Sequence, residues 1–270
     1  MIIKTDYNNI QKLRELWQVC FPEVEDFTNF FFDMMFPNAE VFSAVEDGEL
    51  CGAVYVFDYA FSSGMKAKYL YGVGTFPEYR GQGIAGKIIN AIIEDAKSRG
   101  SDLCMLVPQK PSLYDFYSRF GFVKNFFLDK KTHELMSSGF ALQKAEKLDV
   151  PTLNAIYEKH VEDKDALLRD EREWSLLIDE FNGFGEGIYL LDTRAYCAIS
   201  VENGEVIASE VCGEDAGSIA DILSAVADKF GKKVEWYLSG KTPYGMLLPL
   251  TERARELSAT DRAYANLLHH

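Results

Sequence analysis

The stretch EYRGQGIAGKI, residues 78–88, places three glycines within six residues (Gly81, Gly83, Gly86), just after Arg80. Glycines let a loop turn its amide N–H groups inward without side-chain obstruction. Ile84, Ile88, Ile89, Ile92, Ile93 and Ala96 then recur at helical spacing up to Gly100. A helix therefore begins at once. Loop amides, unsatisfied first-turn N–H groups and the positive end of the helix dipole together make an anion site. Arg80 adds a charged donor. The expected ligand is a phosphate or pyrophosphate. A plain strand-to-helix turn is the alternative, and the glycine density beside an arginine weighs against it. The common phosphate loops do not fit. GxxxxGK[ST] is absent, and the Rossmann fingerprint needs other spacing and a later acidic residue.

The elements around the loop read as α/β. Residues 8–19 predict an amphipathic helix, and Val24 to Phe36 a second, closed by Pro37 and Asn38. EVFSAVEDGELCGAVYVFDYA and KAKYLYGVGTF are β-rich, the first broken at Asp47-Gly48 by a hairpin signal. DLCMLVP has the continuous apolar character of a strand buried on both faces. Pro111 fits the first turn of another helix, whose stripe is Leu113, Phe116, Tyr117 and Phe120 and which Gly121 stops. FVKNFFLD is the last strand of this half.

The second half restarts the plan. KTDYNNIQKL matches KLDVPTLNAI, the turn Asp47-Gly48 matches Asn203-Gly204, and GIAGKIINAI matches GSIADILSAV. Their common order favours a duplication over generic α/β patterning. With Gly83 set on Gly217, Arg80 falls on Glu214 and Gly81 on Asp215, carboxylates that would repel a pyrophosphate. The expected domains are 1–142 and 143–270.

A net charge of −14 argues against nucleic acid, which needs a basic footprint, and favours a cationic substrate. No uncharged apolar run reaches the ~20 residues of a membrane span, and the N-terminus is not a signal peptide. Five scattered cysteines read as reduced thiols of a cytoplasmic protein. No spacing suggests a metal. His269 and His270 are set aside from function.

Arg-x-x-Gly-x-Ala, residues 80–85, following VGTFPEY, resembles the acetyl-CoA signature of the GCN5-related N-acetyltransferase (GNAT) superfamily. YSRFGF resembles its second hallmark, with Tyr117 four residues before Gly121-Phe122. The resemblance covers roughly residues 1–140. It implies two tandem GNAT-like domains, each a mixed, mostly antiparallel sheet flanked by helices, the second degenerate. It also implies acetyl-CoA as co-substrate. Arg80, Gly81, Gln82, Gly83, Ile84, Ala85 and Gly86 would wrap the pyrophosphate, mainly through backbone N–H groups. Val73 and Thr75 would pair with the pantetheine arm, and an N–H near Val73 would polarise the thioester carbonyl. Tyr117 would protonate the departing sulfur, a slightly uphill transfer from a phenol of pKa ~10 to a thiolate of ~8.5. By position alone Tyr69 and Tyr114 are equal candidates for packing. Glu78, Asp58, Tyr69 and Tyr71 are weighed as bases and none is assigned.

The arrangement is similar to the tandem acetyltransferases of the enhanced-intracellular-survival type, without their sterol-carrier-like third domain. Arg169 and Trp174 then read as surface charge and core aromatic of a second-domain helix. The leading expectation is N-acetylation of a small cationic amine by a monomer or homodimer. A silent acyl-CoA-binding module and an aminoacyl transferase using charged tRNA are the alternatives.

Overall fold

The computed structural model describes residues 2–5, 7–22 and 25–266. In chain order these form β1 (Ile2–Lys4), α1 (Ile10–Cys20), α2 (Glu25–Phe30), β2 (Glu40–Glu46), β3 (Glu49–Ala60), β4 (Lys66–Thr75), α3 (Ile84–Ser98), β5 (Leu103–Leu106), α4 (Pro111–Ser118) and β6 (Val123–His133). There follow β7 (Gln143–Lys144), α5 (Val150–His160), β8 (Asp165–Ala166), α6 (Glu171–Phe184), β9 (Gly187–Leu191), β10 (Ala195–Glu202) and β11 (Glu205–Gly213). The chain closes with α7 (Ala216–Phe230), β12 (Val234–Pro249), α8 (Glu252–Ser258) and β13 (Ala263–Tyr264). No helix among the described residues is long and apolar enough to cross a membrane.

The chain divides into two compact units that interleave. One is Met1–Phe126 with Tyr244–Ala263, the other Phe127–Pro243 with Tyr264–His270. The single boundary expected at 142–143 falls inside the second unit, because β6 and β12 each begin in one unit and end in the other.

In the first unit, β2, β3 and β4 pair antiparallel and β4 pairs parallel to β5. Asp47 (φ 51) and Gly48 (φ 89) make the expected tight turn between β2 and β3. One sheet face meets α3, whose isoleucines join Phe42, Val54, Leu70, Cys104 and Leu106 in the core. The other face carries an aromatic layer. Trp17 of α1 stacks on Phe31 at 4.0 Å, and both rings meet Tyr55 and Tyr71. The helix expected over 24–36 is interrupted. After α2 the chain takes a π turn at Phe31–Met35 and a 3-10 turn through Pro37, and Val24 lies outside the described residues. Phe27, Phe31, Phe32 and Met35 are buried, so this segment packs as core, while Asp33 pairs with Arg14 at 3.0 Å.

The second unit repeats the plan. β9, β10 and β11 pair antiparallel and β11 pairs parallel to β12. Asn203 (φ 51) and Gly204 (φ 81) repeat the tight turn. Helix α7 packs on one face, with Ile222, Leu223 and Val226 against Ile199 and Val211, and α5 and α6 pack on the other.

Candidate active site

Two strands frame an opening. β4 pairs with β5 only at Ala67, Lys68 and Tyr69, while β4 runs on to Thr75 and β5 stops at Leu106. The far part of β4 thus has backbone facing the opening rather than another strand. Within it Tyr71 opposes Tyr55 and Gly74 opposes Ala53, so Gly72 and Val73 together face Val54, a bulge. Gly72 has φ +60, and a Cβ there would lie 2.9 Å from both Trp17 and Tyr55. A glycine inside a strand signals such a bulge, and YLYGVGT carries that cue.

Beyond Thr75 a short 3-10 turn, Pro77–Tyr79, leads into the glycine loop. Gly81 (φ +78) and Gly83 (φ +74) take left-handed backbone conformations, and a Cβ on either would meet nothing within 4 Å. Gly83 is the N-cap of α3 and has no side chain with which to cap it. The amide of Arg80 bonds the Pro77 carbonyl and that of Lys87 bonds the Gly83 carbonyl. Between them, the N–H groups of residues 81–86 bond no acceptor among the described residues. That run of donors, in open space at a helix start, fits a pyrophosphate.

The other expected residues gather here. Arg80 is exposed, and its Nε donates to the Thr75 carbonyl at 3.0 Å, so the guanidinium folds back to the end of β4. Gln82 Nε2 donates to the Glu78 carbonyl at 3.2 Å. Val73 is half-buried against the α3 core, and Ile84 is buried within it. Gly86 lies in the first turn of α3, where a Cβ would stand 3.1 Å from the Phe120 ring. The glycine loop and YSRFGF therefore meet through Gly86 and Phe120.

Tyr117 is 6% exposed and shares the core with Ile84, Leu106 and Phe122. Burial pushes its hydroxyl up to about 12. This corrects the expectation of a near-reference phenol, since an acid of pKa about 12 gives up its proton less readily. The same burial penalises a thiolate forming beside it, so the two acidities rise together. Among the base candidates, Asp58 is exposed and pairs with Lys68 at 2.8 Å, Tyr69 is 1% exposed, and Glu78 is exposed. No base emerges. No group of acidic, histidine or cysteine side chains among the described residues could hold a metal.

The second unit's corresponding helix is closed. The N-cap of α7 is Asp215, whose carboxylate accepts from the Ser218 N–H at 2.8 Å, while the Ser218 hydroxyl receives the Asp215 N–H at 3.1 Å. Matched by helix starts, Asp215 stands where Gly83 stands, two residues off the sequence alignment that set Gly83 on Gly217. The repelling carboxylate is thus a cap that takes the helix amides itself. Asp-x-x-Ser before an apolar run is the sequence cue for such a cap. On the opposite face, Arg169 makes a bidentate pair with Glu210 at 2.7 and 2.9 Å and donates to the Asn266 carbonyl at 2.9 Å. Tyr196 and Tyr264 donate to the same carboxylate. The surface charge expected at Arg169 is therefore a buried one, while Trp174 is the expected core aromatic.

Residues 2–124 match the family model of the acetyltransferase (GNAT) domain. The chain superposes on a conserved protein of Enterococcus faecalis V583, with 14% identity and TM-score 0.77, covering 94% of this chain and 73% of that one. It also superposes on a GCN5-related N-acetyltransferase from Kribbella flavida (14% identity, TM-score 0.71, 94% and 73% covered). A third likeness is Eis1 from Mycobacterium abscessus (12% identity, TM-score 0.65, 92% and 74% covered). At these identities the likeness is one of fold, extending over both units. No curated protein matches the sequence.

Fold and site define two tandem GNAT-like units, the first carrying the open loop. The family match is confined to residues 2–124, the segment that carries the open loop and Tyr117.

Proposed function

We propose that the protein transfers the acetyl group of acetyl-CoA to a primary amine of a small cationic molecule, by direct attack of the amine on the thioester. The observation that carries this reading is the run of unbonded amides at residues 81–86 over left-handed, unobstructed glycines. Those amides, with the dipole of α3 and the charge of Arg80, bind the pyrophosphate. The free edge of β4 at Val73 and Thr75 receives the pantetheine amides as an added strand. The bulge at Gly72 turns the Val73 N–H to the thioester oxygen, where it stabilises the charge that develops on attack. Each such donor is worth about 10²–10³ in rate. The Tyr117 hydroxyl hydrogen-bonds the leaving sulfur and supplies its proton as the C–S bond breaks.

The first unit does this work, and the second is a degenerate copy whose cap excludes CoA. Free thiols at Cys20, Cys51, Cys104, Cys197 and Cys212 fit a cytoplasmic enzyme, acting as monomer or homodimer. The net charge of −14 steers a cationic acceptor towards the protein. Calorimetric titration with acetyl-CoA, followed by a free-thiol assay over a panel of amines, tests the reading. One binding event per chain and amine-dependent thiol release are expected. Absence of acetyl-CoA binding overturns it.

A further inference from the structure

The helix that carries Tyr117, α4, and the turn that follows it both meet a strand encoded some 130 residues later in the chain. At residues 246–249, β12 pairs antiparallel with β5, from Met246 opposite Leu106 to Pro249 opposite Leu103. The Tyr114 hydroxyl, one turn before Tyr117, donates to the Tyr244 carbonyl at 3.1 Å. In the turn after α4, Gly121 (φ +91) brings the chain so near that a Cβ would lie 3.0 Å from Leu248. Residues 244–248 of β12 thus hold α4 at Tyr114 and the turn after it at Gly121. Met246 and Leu248 lie in the same core as Tyr117 and Phe122.

The segment is locked in register. Gly245 leaves no room for a Cβ, which would fall 2.9 Å from Phe126 and 3.2 Å from the Leu106 carbonyl. Beyond the strand, the amides of Leu250 and Thr251 both bond the Asp102 carbonyl, at 2.8 and 3.2 Å. The Thr251 hydroxyl donates to the Asp102 carboxylate at 3.0 Å. Asn125 donates to the Ser258 carbonyl at 3.2 Å. None of residues 244–263 lies in the segment matched by the family model.

We propose that Tyr114, through its hydrogen bond to the Tyr244 carbonyl, is a positioning residue that sets the height and rotation of α4 and hence the place of the Tyr117 hydroxyl. This rests on the role assigned to Tyr117 above. An eight-residue helix has little rigidity of its own. Its phenol must reach the sulfur to within a hydrogen-bond length, and small displacements are costly to rate. The Tyr114 ring packs against the core and lies under the Lys124 ammonium at 5.0 Å. Removing only its hydroxyl keeps that packing and releases the clasp.

The test is a double-mutant cycle on the full chain with Tyr114→Phe and Tyr117→Phe, together with ¹³Cζ-tyrosine NMR. Tyr114→Phe is expected to lower kcat about 10-fold, to leave KM for acetyl-CoA within about 2-fold, and to move the Tyr117 ¹³Cζ resonance. On the Tyr117→Phe background the Tyr114→Phe substitution is expected to cost nothing further. If the two kcat losses multiply, or the Tyr117 resonance stays in place, the clasp does not position Tyr117 and the inference is wrong. If Tyr117→Phe alone leaves kcat unchanged, the acid role falls, and the resonance shift still decides whether Tyr114 places that ring. Leu248→Ala, which opens the contact at Gly121, is expected to reproduce the resonance shift and serves if Tyr114→Phe does not fold.

Discussion

Gly83 and Asp215 hold the same post, the N-cap of the helix that follows the third long strand of each unit. One offers bare amides, and the other supplies its own carboxylate to them. Moving that carboxylate into the first unit should therefore close it. Gly83→Asp is expected to weaken acetyl-CoA binding more than 100-fold by calorimetry, with an unchanged far-ultraviolet circular dichroism spectrum. Aspartate tolerates the left-handed backbone at this position better than most residues. Asp215→Gly is expected to gain no binding, because Glu214 remains beside the vacated cap. Acetyl-CoA binding by Gly83→Asp with wild-type affinity would move the cofactor elsewhere.

Tyr117→Phe is expected to reduce kcat by about 10²–10³-fold with little change in KM for acetyl-CoA, since general acid catalysis is worth about 10²–10⁴. The hydroxyl, held near 12, stays protonated through the working range. Its ionisation therefore removes no activity below about pH 11. A kcat that falls with an apparent pKa near 10 in wild type, and not in Tyr117→Phe, would contradict the burial seen here.

Glu210→Gln leaves the buried Arg169 guanidinium among Tyr157, Trp174 and Tyr196 without a countercharge. Breaking one side of a buried pair typically costs about 3–5 kcal/mol. Urea unfolding should register a loss of that size. The paired replacement Arg169→Met with Glu210→Leu is expected to recover much of it. An unchanged midpoint for Glu210→Gln would mean that the pair is dispensable.

Alkaline conditions should destabilise the fold. Burial raises the hydroxyls of Tyr117, Tyr157, Tyr196 and Tyr264 and the thiols of Cys104 and Cys212. The unfolded chain releases these protons from about pH 8.5 for thiols and about pH 10 for phenols. The folded chain retains them, so it binds more protons and stability falls as pH rises through that window. Denaturant midpoints at pH 7, 9 and 10.5 should decline in that order. A flat profile would show that these groups are reached by solvent.

Much of this was legible in the chain because its signals are local. Asp47-Gly48 and Asn203-Gly204 mark tight turns, and the isoleucine stripe of α3 marks a helix. Three things needed the structure. The pairing of residues 246–249 with β5 joins segments far apart in sequence, and periodicity carries no record of that. Arg169 beside acidic residues reads as surface charge until its partner Glu210, on another element, is found. The offset of two residues between Gly83 and Asp215 arises because a capped helix begins at its cap, whereas a sequence match follows its glycines. The role of Gly86 is spatial, fixed by Phe120, and no pattern of backbone freedom discloses it.

The clasp on α4 also sets a timetable for synthesis. A ribosome that has released residues 1–142 has exposed the glycine loop, Tyr117 and β5, but not the strand that seals β5 or the carbonyl that Tyr114 needs. The first unit stays open-edged until Tyr244–Ala263 emerges, and by then residues 127–243 of the second unit have already been made. Chains that close such long loops fold slowly and expose unpaired strand edges meanwhile. The unit that begins first thus waits for a strand made after most of its neighbour, and Tyr117 gains its support only then.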